Sequence, residues 1–186
     1  MTGGSALGDV YGATIERVKA QDGDKSRLGM AALMWVSYAE RPLQADELCY
    51  ALAVELGCVY FNTGNLPSMS ILVGCCQGLI AVDKEASTVR LIHLTLQEYL
   101  SAHDDILFSR PHSAIAEICL TYLNSPHVKA FLTNASPNTQ STPFLEHCSV
   151  YWGIHATRDL SSDCTRSLAL ELLKRNYIAR YLPVHL

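Results

Sequence analysis

Several signatures of enzymes are missing from this sequence. It has no G-x-x-x-x-G-K-[ST] phosphate loop, no complete G-x-S-x-G nucleophile elbow and no H-E-x-x-H metal-binding pair. It also has no C-x-x-C pair, so a zinc site is not expected. His147 and Cys148 are neighbours, but adjacent residues of a helix point about 100° apart and do not readily bond each other. We therefore expect no catalytic residues, no bound metal and no enzymatic activity.

Charged residues are also scarce. They make up 17% of the chain, against 49% apolar residues, and the net charge is −4. This apolar content is enough to offset the entropy lost on folding, which argues against a disordered protein. The negative balance gives no general electrostatic attraction to nucleic acid.

The longest stretch without any charge is residues 56–82. A membrane span needs about 20 predominantly apolar residues, but here two asparagines, a proline, a glutamine and four glycines interrupt the run. We interpret it as a loop, a helix and a strand of a folded core. Residues 1–8 are rich in glycine and lack the charged and apolar regions of a signal peptide. We therefore expect no contact with a membrane.

The seven cysteines do not suggest a disulfide framework. Their number is odd, and most lie in apolar runs, where a thiol behaves as a small buried hydrophobe. Adjacent Cys75 and Cys76 leave open a strained vicinal disulfide, but buried reduced thiols are the preferred interpretation. Reduced cysteines fit a reducing compartment, and we predict a cytoplasmic location.

Apolar periodicity predicts a mainly α fold. One strong helical stripe is formed by Leu28, Ala31, Ala32 and Trp35. Pro42 ends this helix, and two further helices are predicted at 45–54 and 67–76. The apolar period then changes to two at 79–83 and 88–94, which predicts a two-stranded β-hairpin. A helix resumes at about Thr95.

Three helices, a hairpin and another helix follow one another in the order of a winged helix. We assign residues 26–102 to this domain, residues 1–25 to an N-terminal linker helix and residues 103–186 to a helical region, interpreted as a bundle. Its predicted helices lie at 111–124, 127–132, 144–157 and 165–182. Residues 134–143 form a polar linker that contains proline.

His93 is the one candidate functional residue that the pattern singles out. It ends the second predicted strand, where the chain enters the next helix. Two interpretations are open. In the first, a partly buried histidine fixes this corner by a hydrogen bond to the backbone. In the second, the histidine senses a ligand held by a partner domain. Spacing alone favours the first.

Residues 89–100, VRLIHLTLQEYL, resemble the winged-helix signature of NACHT-type signalling NTPases, the NOD-like receptor group. In that group an H-x-[ST]-x-Q-E-[FY] run joins the wing to the next helix. Other motifs, spread over most of residues 7–158, are similar to the segment between the NACHT domain and the ankyrin repeats of fungal NACHT–ankyrin proteins. The residues that carry this resemblance include His93, Trp35, Pro42, Gly78, Thr95, Gln97, Glu98, Tyr99 and Trp152.

The resemblance implies a regulatory role. In such proteins the winged helix packs on the NTPase module and holds it closed around ADP, and the histidine at the position of His93 points at the diphosphate. The nucleotide, ADP or ATP, would belong to the NTPase domain, so this chain itself needs no cofactor. Its implied partners are the NACHT domain and ankyrin repeats of one parent protein. Neither the NTPase core nor an ankyrin consensus occurs in this sequence, and the loop at 57–67, usually acidic in the similar proteins, is uncharged.

Similar winged helices are also labelled after a GPI inositol-deacylase. That name implies a lipase-type hydrolase, but this sequence has no nucleophile elbow to support the activity. The alternative to an intramolecular regulatory segment is a free-standing winged helix that binds an external protein.

The sequence makes a testable prediction about DNA. The helix that would read the major groove, residues 68–76, has no basic side chain, whereas groove binding needs Lys or Arg to neutralise phosphates. We expect the chain to leave duplex DNA unbound at physiological salt in a gel-shift assay. A shift at sub-micromolar protein that weakens with added salt would contradict this.

Overall fold

The computed structural model describes four ranges of the chain: 3–58, 60–133, 142–159 and 162–174. Residues 134–141 of the predicted linker and residues 175–182 of the last predicted helix lie outside these ranges. The chain divides into unit 1, formed by Met1–Leu52 and Pro67–Ser109, and unit 2, formed by Ala53–Leu66 and Arg110–Leu186. The domain limits drawn at residues 26 and 103 stay predictions.

Unit 1 contains the N-terminal helices, a small sheet and the helices that follow it. In chain order its described elements are α1 (Gly3–Lys19), α2 (Gly23–Tyr38), β1 (Leu43–Gln44), α3 (Ala45–Ala53, which ends at the limit of the unit), α4 (Met69–Cys75), β2 (Ile80–Asp83), β3 (Thr88–Leu91), α5 (Leu94–Ala102) and α6 (Asp104–Leu107). The order from α2 to α5 is that of a winged helix, so the predicted mainly helical, winged-helix fold is confirmed.

The sheet differs from the prediction in two details. It has three antiparallel strands in the order β1-β3-β2, because Leu43 and Gln44 pair with Val89 and Thr88. A strand of two residues is too short to show alternation in the sequence. The hairpin's second strand is also shorter than predicted, since β3 ends at Leu91 and the chain enters α5 at Leu94.

The uncharged stretch at 56–82 folds as its interruptions indicate. Its described residues include a short 3₁₀ turn at Thr63–Asn65, helix α4 and most of β2. Within the described ranges, no helix is both long and apolar enough to cross a bilayer.

Helix α2 is the scaffold of unit 1. It packs against α1, α4, β3 and α5, and Trp35 at its C-terminal half is completely buried. Gly29 lies on the same helix, where an added Cβ would come within 2.7 Å of the Cys75 carbonyl oxygen and 2.8 Å of Val18 Cγ1. Only glycine therefore allows α1 and the end of α4 to approach α2 this closely.

Unit 2 is built around a long, buried helix. Its described elements are the 3₁₀ turn and α7 (Pro111–Asn124), α8 (Pro126–Thr133), α9 (Phe144–Arg158) and α10 (Asp163–Lys174). Helix α7 packs against α8, α9 and α10. Its fully buried residues include Ile115, Cys119 and Leu120, which explains the apolar period seen in the sequence.

Polar contacts join the start of α7 to the end of α9. Arg110 donates two hydrogen bonds to the Asp159 carboxylate, of 2.8 and 2.7 Å. The Nδ1 atoms of His112 and His155 lie 2.9 Å apart, so one ring must donate and the other accept. His155 is completely buried, and burial, with contributions from His112, His147 and Arg158, lowers its pKa to about 3.

The burial of Trp35 predicts its contribution to stability. Trp35→Ala removes a fully buried aromatic side chain and should lower the free energy of unfolding by about 3–5 kcal/mol. Urea denaturation followed by circular dichroism measures this. The control, Arg27→Ala on the same helix, removes a side chain that is 65% exposed and should cost less than about 1 kcal/mol. Equal losses in the two variants would show that the core has been misassigned.

The buried His155 predicts a dependence of stability on pH. Its pKa is lowered in the folded chain, so the unfolded chain binds the proton more strongly, and stability should fall as the pH drops from about 6.5 towards 3. The loss is at most about 1.4 kcal/mol per pH unit. His155→Gln should flatten the dependence, while carboxylates titrate alike in both proteins. Parallel curves of unfolding free energy against pH would contradict the assignment.

Candidate functional site

His93 lies at the N-terminus of α5, as its cap residue. Its side chain is exposed, and its Nδ1 accepts a hydrogen bond of 3.3 Å from the Thr95 backbone N–H. The Thr95 hydroxyl lies 2.9 Å from the same nitrogen. The structure thus contains the hydrogen bond to the backbone that the first interpretation of His93 predicts. The ring that makes this bond is exposed, however, and not partly buried.

The cap favours one tautomer of the ring. A backbone N–H can only donate, so the tautomer that makes this bond has Nδ1 unprotonated and its hydrogen on Nε2. The hydrogen bonds of the ring with described residues are both at Nδ1. His93 therefore presents an N–H donor to the solvent side of α5.

One side of α5 faces a groove of about 430 Å³ in unit 1. The groove is lined by the end of α2, by Pro42, by β3 and by the start of α5, and it includes His93 and Gln97. Gln97 donates a 3.0 Å hydrogen bond to the Ser37 carbonyl oxygen, which fixes α5 to the end of α2. Two apolar side chains next to the histidine are exposed, Ile92 by 43% and Leu94 by 73%.

The other side of α5 faces α1. Thr95, Glu98 and Tyr99 line a second cavity there, with residues of α1. The Tyr11 hydroxyl lies 2.8 Å from the Thr95 hydroxyl, and the rings of Tyr11 and Tyr99 are 5.8 Å apart. The signature residues that follow His93 therefore lie on two sides of α5, because Gln97 faces the groove and Tyr99 faces α1.

The remaining signature residues lie in the core, at a turn or elsewhere on the surface. Trp35 is buried in α2, as its apolar stripe predicted. Gly78 has a φ of +81°, a left-handed conformation that favours glycine, between α4 and β2. Glu98 is exposed on α5, and Trp152 is half-buried on α9 of unit 2. The groove thus brings together His93, Gln97 and Pro42, and Trp152 belongs to the other unit.

An ion pair that sequence reasoning missed shapes the groove beside Pro42. Arg41 donates hydrogen bonds of 2.7 and 2.6 Å to the two carboxylate oxygens of Glu47, which is only 3% exposed. Glu47 also accepts the Gln44 N–H at 2.8 Å, the half of a capping box that starts α3. A glutamate at the third position of a predicted helix was the available signal, because it closes such a box.

No cysteine is among the described residues that line this groove. All seven cysteines lie in the described part of the chain, and none forms a disulfide. Five are buried, as predicted, whereas Cys58 and Cys164 are exposed. Burial raises the thiol pKa of Cys76 to about 12 and that of Cys49 to about 11, so both stay protonated at neutral pH.

The neighbours His147 and Cys148 are completely buried in α9. Among the described residues, no three His, Cys, Asp or Glu side chains form a group that could hold a metal ion.

Comparison with known proteins agrees with the winged-helix fold. The sequence profile of the family described as "GPI inositol-deacylase, winged helix domain" matches residues 16–119, more than half of the chain. No curated protein and no solved structure matches it. The match begins within α1 and ends within α7, and it contains the whole run from α2 to α5. The chain therefore belongs to the family of GPI inositol-deacylase winged-helix domains.

Proposed function

We propose that this chain is the non-catalytic regulatory segment of a NACHT-type signalling NTPase that also carries ankyrin repeats. In this proposal the winged helix packs on the NTPase domain and holds it in the ADP-bound, inactive state. His93 donates a hydrogen bond from Nε2 to a phosphate oxygen of ADP. The ADP belongs to the NTPase domain, and this chain contributes only the donor.

The observation that carries the proposal is the exposed donor at the start of α5. The ring of His93 is held through Nδ1 by Thr95, which leaves Nε2–H directed away from that bond. A hydrogen bond from such a donor to an ionised phosphate is about twice as strong as a bond between neutral groups. The arrangement therefore suits an anionic ligand supplied from outside the unit.

A capping role alone does not account for a histidine at this position. Serine, threonine, asparagine and aspartate are the side chains that best cap a helix N-terminus. Asparagine, serine and threonine also carry a donor, but it is on or next to the capping group and close to the backbone. Histidine instead carries its donor on the far side of the ring from the capping nitrogen.

The surface around His93 is consistent with binding to another protein domain. Leu94 lines the groove and is 73% exposed, and Ile92, on the other side of the histidine in sequence, is 43% exposed. Contiguous exposed apolar area is typical of a surface that another protein covers, and we infer that these two side chains contribute to such a surface. The five buried cysteines suit a reducing compartment, and we place this function in the cytoplasm.

The test compares two substitutions of His93 in the full-length parent. His93→Ala removes both the cap and the donor, whereas His93→Asn retains a good cap and has no donor at the position of Nε2, because its amide NH₂ lies closer to the backbone. A hydrogen bond to a charged phosphate contributes about 1.5–3 kcal/mol, so both variants should release ADP about 10- to 150-fold faster. Dissociation of a fluorescent ADP analogue measures the rate.

Stability of the 186-residue chain separates the two roles of His93. Loss of the cap in His93→Ala should cost about 0.5–2 kcal/mol, and His93→Asn should cost little. If ADP dissociates from both variants as slowly as from the unmodified parent, and only the alanine variant is destabilised, His93 is a helix cap and the proposed function is wrong.

The second candidate function is a free-standing winged helix that binds an external protein, and the exposed Leu94 and Ile92 favour it equally. The coding sequence upstream of Met1 distinguishes the two. A phosphate loop in frame supports the NTPase parent, and its absence supports the free-standing module. The family name does not transfer a deacylase activity, because the match concerns the winged helix only.

A further inference from the structure

Helix α1 contributes to the environment of His93 although it lies far away in sequence. Tyr11 on α1 is only 6% exposed, and its hydroxyl is 2.8 Å from the Thr95 hydroxyl across 84 residues of chain. Thr95 in turn contacts His93 Nδ1. The three side chains form a continuous hydrogen-bonded row from α1 to the start of α5.

The hydrogen bond at the His93 end of the row indicates which group donates in each of the other hydrogen bonds. In the tautomer in which Nδ1 of His93 accepts from the Thr95 N–H, the one lone pair of this nitrogen is shared with the Thr95 hydroxyl, which then also donates to it. The single hydroxyl hydrogen of Thr95 is then used, and Tyr11 must be the donor in its bond to Thr95. The row therefore runs from Tyr11 through Thr95 to His93, and it ends with the hydrogen on Nε2.

Helices α1 and α5 pack closely at the place where this row of hydrogen bonds passes from one to the other. An added Cβ on Gly12 would lie 3.0 Å from the Tyr99 hydroxyl oxygen, and the tyrosine rings of the two helices are 5.8 Å apart. Glycine at this position allows α1 to lie close to α5, where Tyr11 reaches Thr95. A displacement of α1 would remove the donor from the row.

We propose that Tyr11 and Thr95 are positioning residues for His93, and that the packing of α1 on α5 strengthens the preference of His93 for the tautomer that presents Nε2–H to an anionic ligand. The proposal rests on the proposed function for its biological meaning, since the ligand is the phosphate of bound nucleotide. It adds a regulatory input, because α1 acts on the histidine without contacting the ligand.

The test reads the tautomer of His93 in the complete chain, without nucleotide. Long-range ¹H–¹⁵N spectra of histidine-labelled protein at alkaline pH, where imidazole is neutral, distinguish Nε2–H from Nδ1–H. The His93→Asn spectrum assigns the signals. The unmodified chain should show mainly the Nε2–H form.

Thr95→Val removes the hydroxyl but keeps the backbone N–H, and it should lower the ratio of Nε2–H to Nδ1–H about two- to tenfold, the effect of one net hydrogen bond. Thr95→Ser should restore the ratio. Tyr11→Phe should shift it in the same direction by a smaller factor. Tyr99→Phe is the matched control, because it removes a hydroxyl from the same helix pair outside the row, and it should leave the ratio unchanged.

An unchanged ratio in a folded Thr95→Val chain overturns the proposal, as does a shift in Tyr99→Phe equal to that in Tyr11→Phe. If Thr95→Val does not fold, Tyr11→Phe decides, and an unchanged ratio there overturns the role of α1. These outcomes are independent of ADP retention. If the tautomer ratios change as expected but the His93 variants release ADP at the unmodified rate, the proposed function is wrong. The positioning role of Tyr11 and Thr95 is then still supported.

Discussion

A single acceptor nitrogen at the start of α5 links the fold of unit 1 to its exposed surface. Nδ1 of His93 receives the Thr95 N–H, so this ring satisfies a backbone donor that the helix cannot pair internally. The same bond favours the tautomer with its hydrogen on Nε2, which places a donor on the exposed edge of the ring. In the proposed function, a local requirement of helix formation thus prepares the group that binds the phosphate.

The rest of unit 1 serves to hold this corner in place. Helix α2 contacts α1, α4, β3 and α5, and the lack of a side chain at Gly29 lets two of these neighbours approach it closely. Gln97 fixes α5 to the end of α2, while Tyr11 reaches the start of α5 from α1. In the proposed function, a histidine held in this way would lose little conformational entropy on binding the phosphate.

The sequence predicted the elements better than the contacts. The stripe that includes Trp35 indicated a buried helix because apolar side chains at helical spacing share one face. Strand β1 was not predicted, because two residues cannot show alternation. Their pairing with β3 depends on tertiary structure. His93 was found by its place at a strand end, but its capping bond and its link to Tyr11 could not be predicted. Such pairs are distant in sequence, and periodicity carries no information about them.

The most direct measurement is a structure of the ADP-bound parent that shows the atoms around His93. We expect His93 Nε2 at about 2.7–2.9 Å from a phosphate oxygen, the length of a charge-assisted hydrogen bond. Nδ1 should remain bonded to Thr95 in the same structure. A phosphate facing Nδ1, or a diphosphate too far from the ring for any hydrogen bond, would contradict the account.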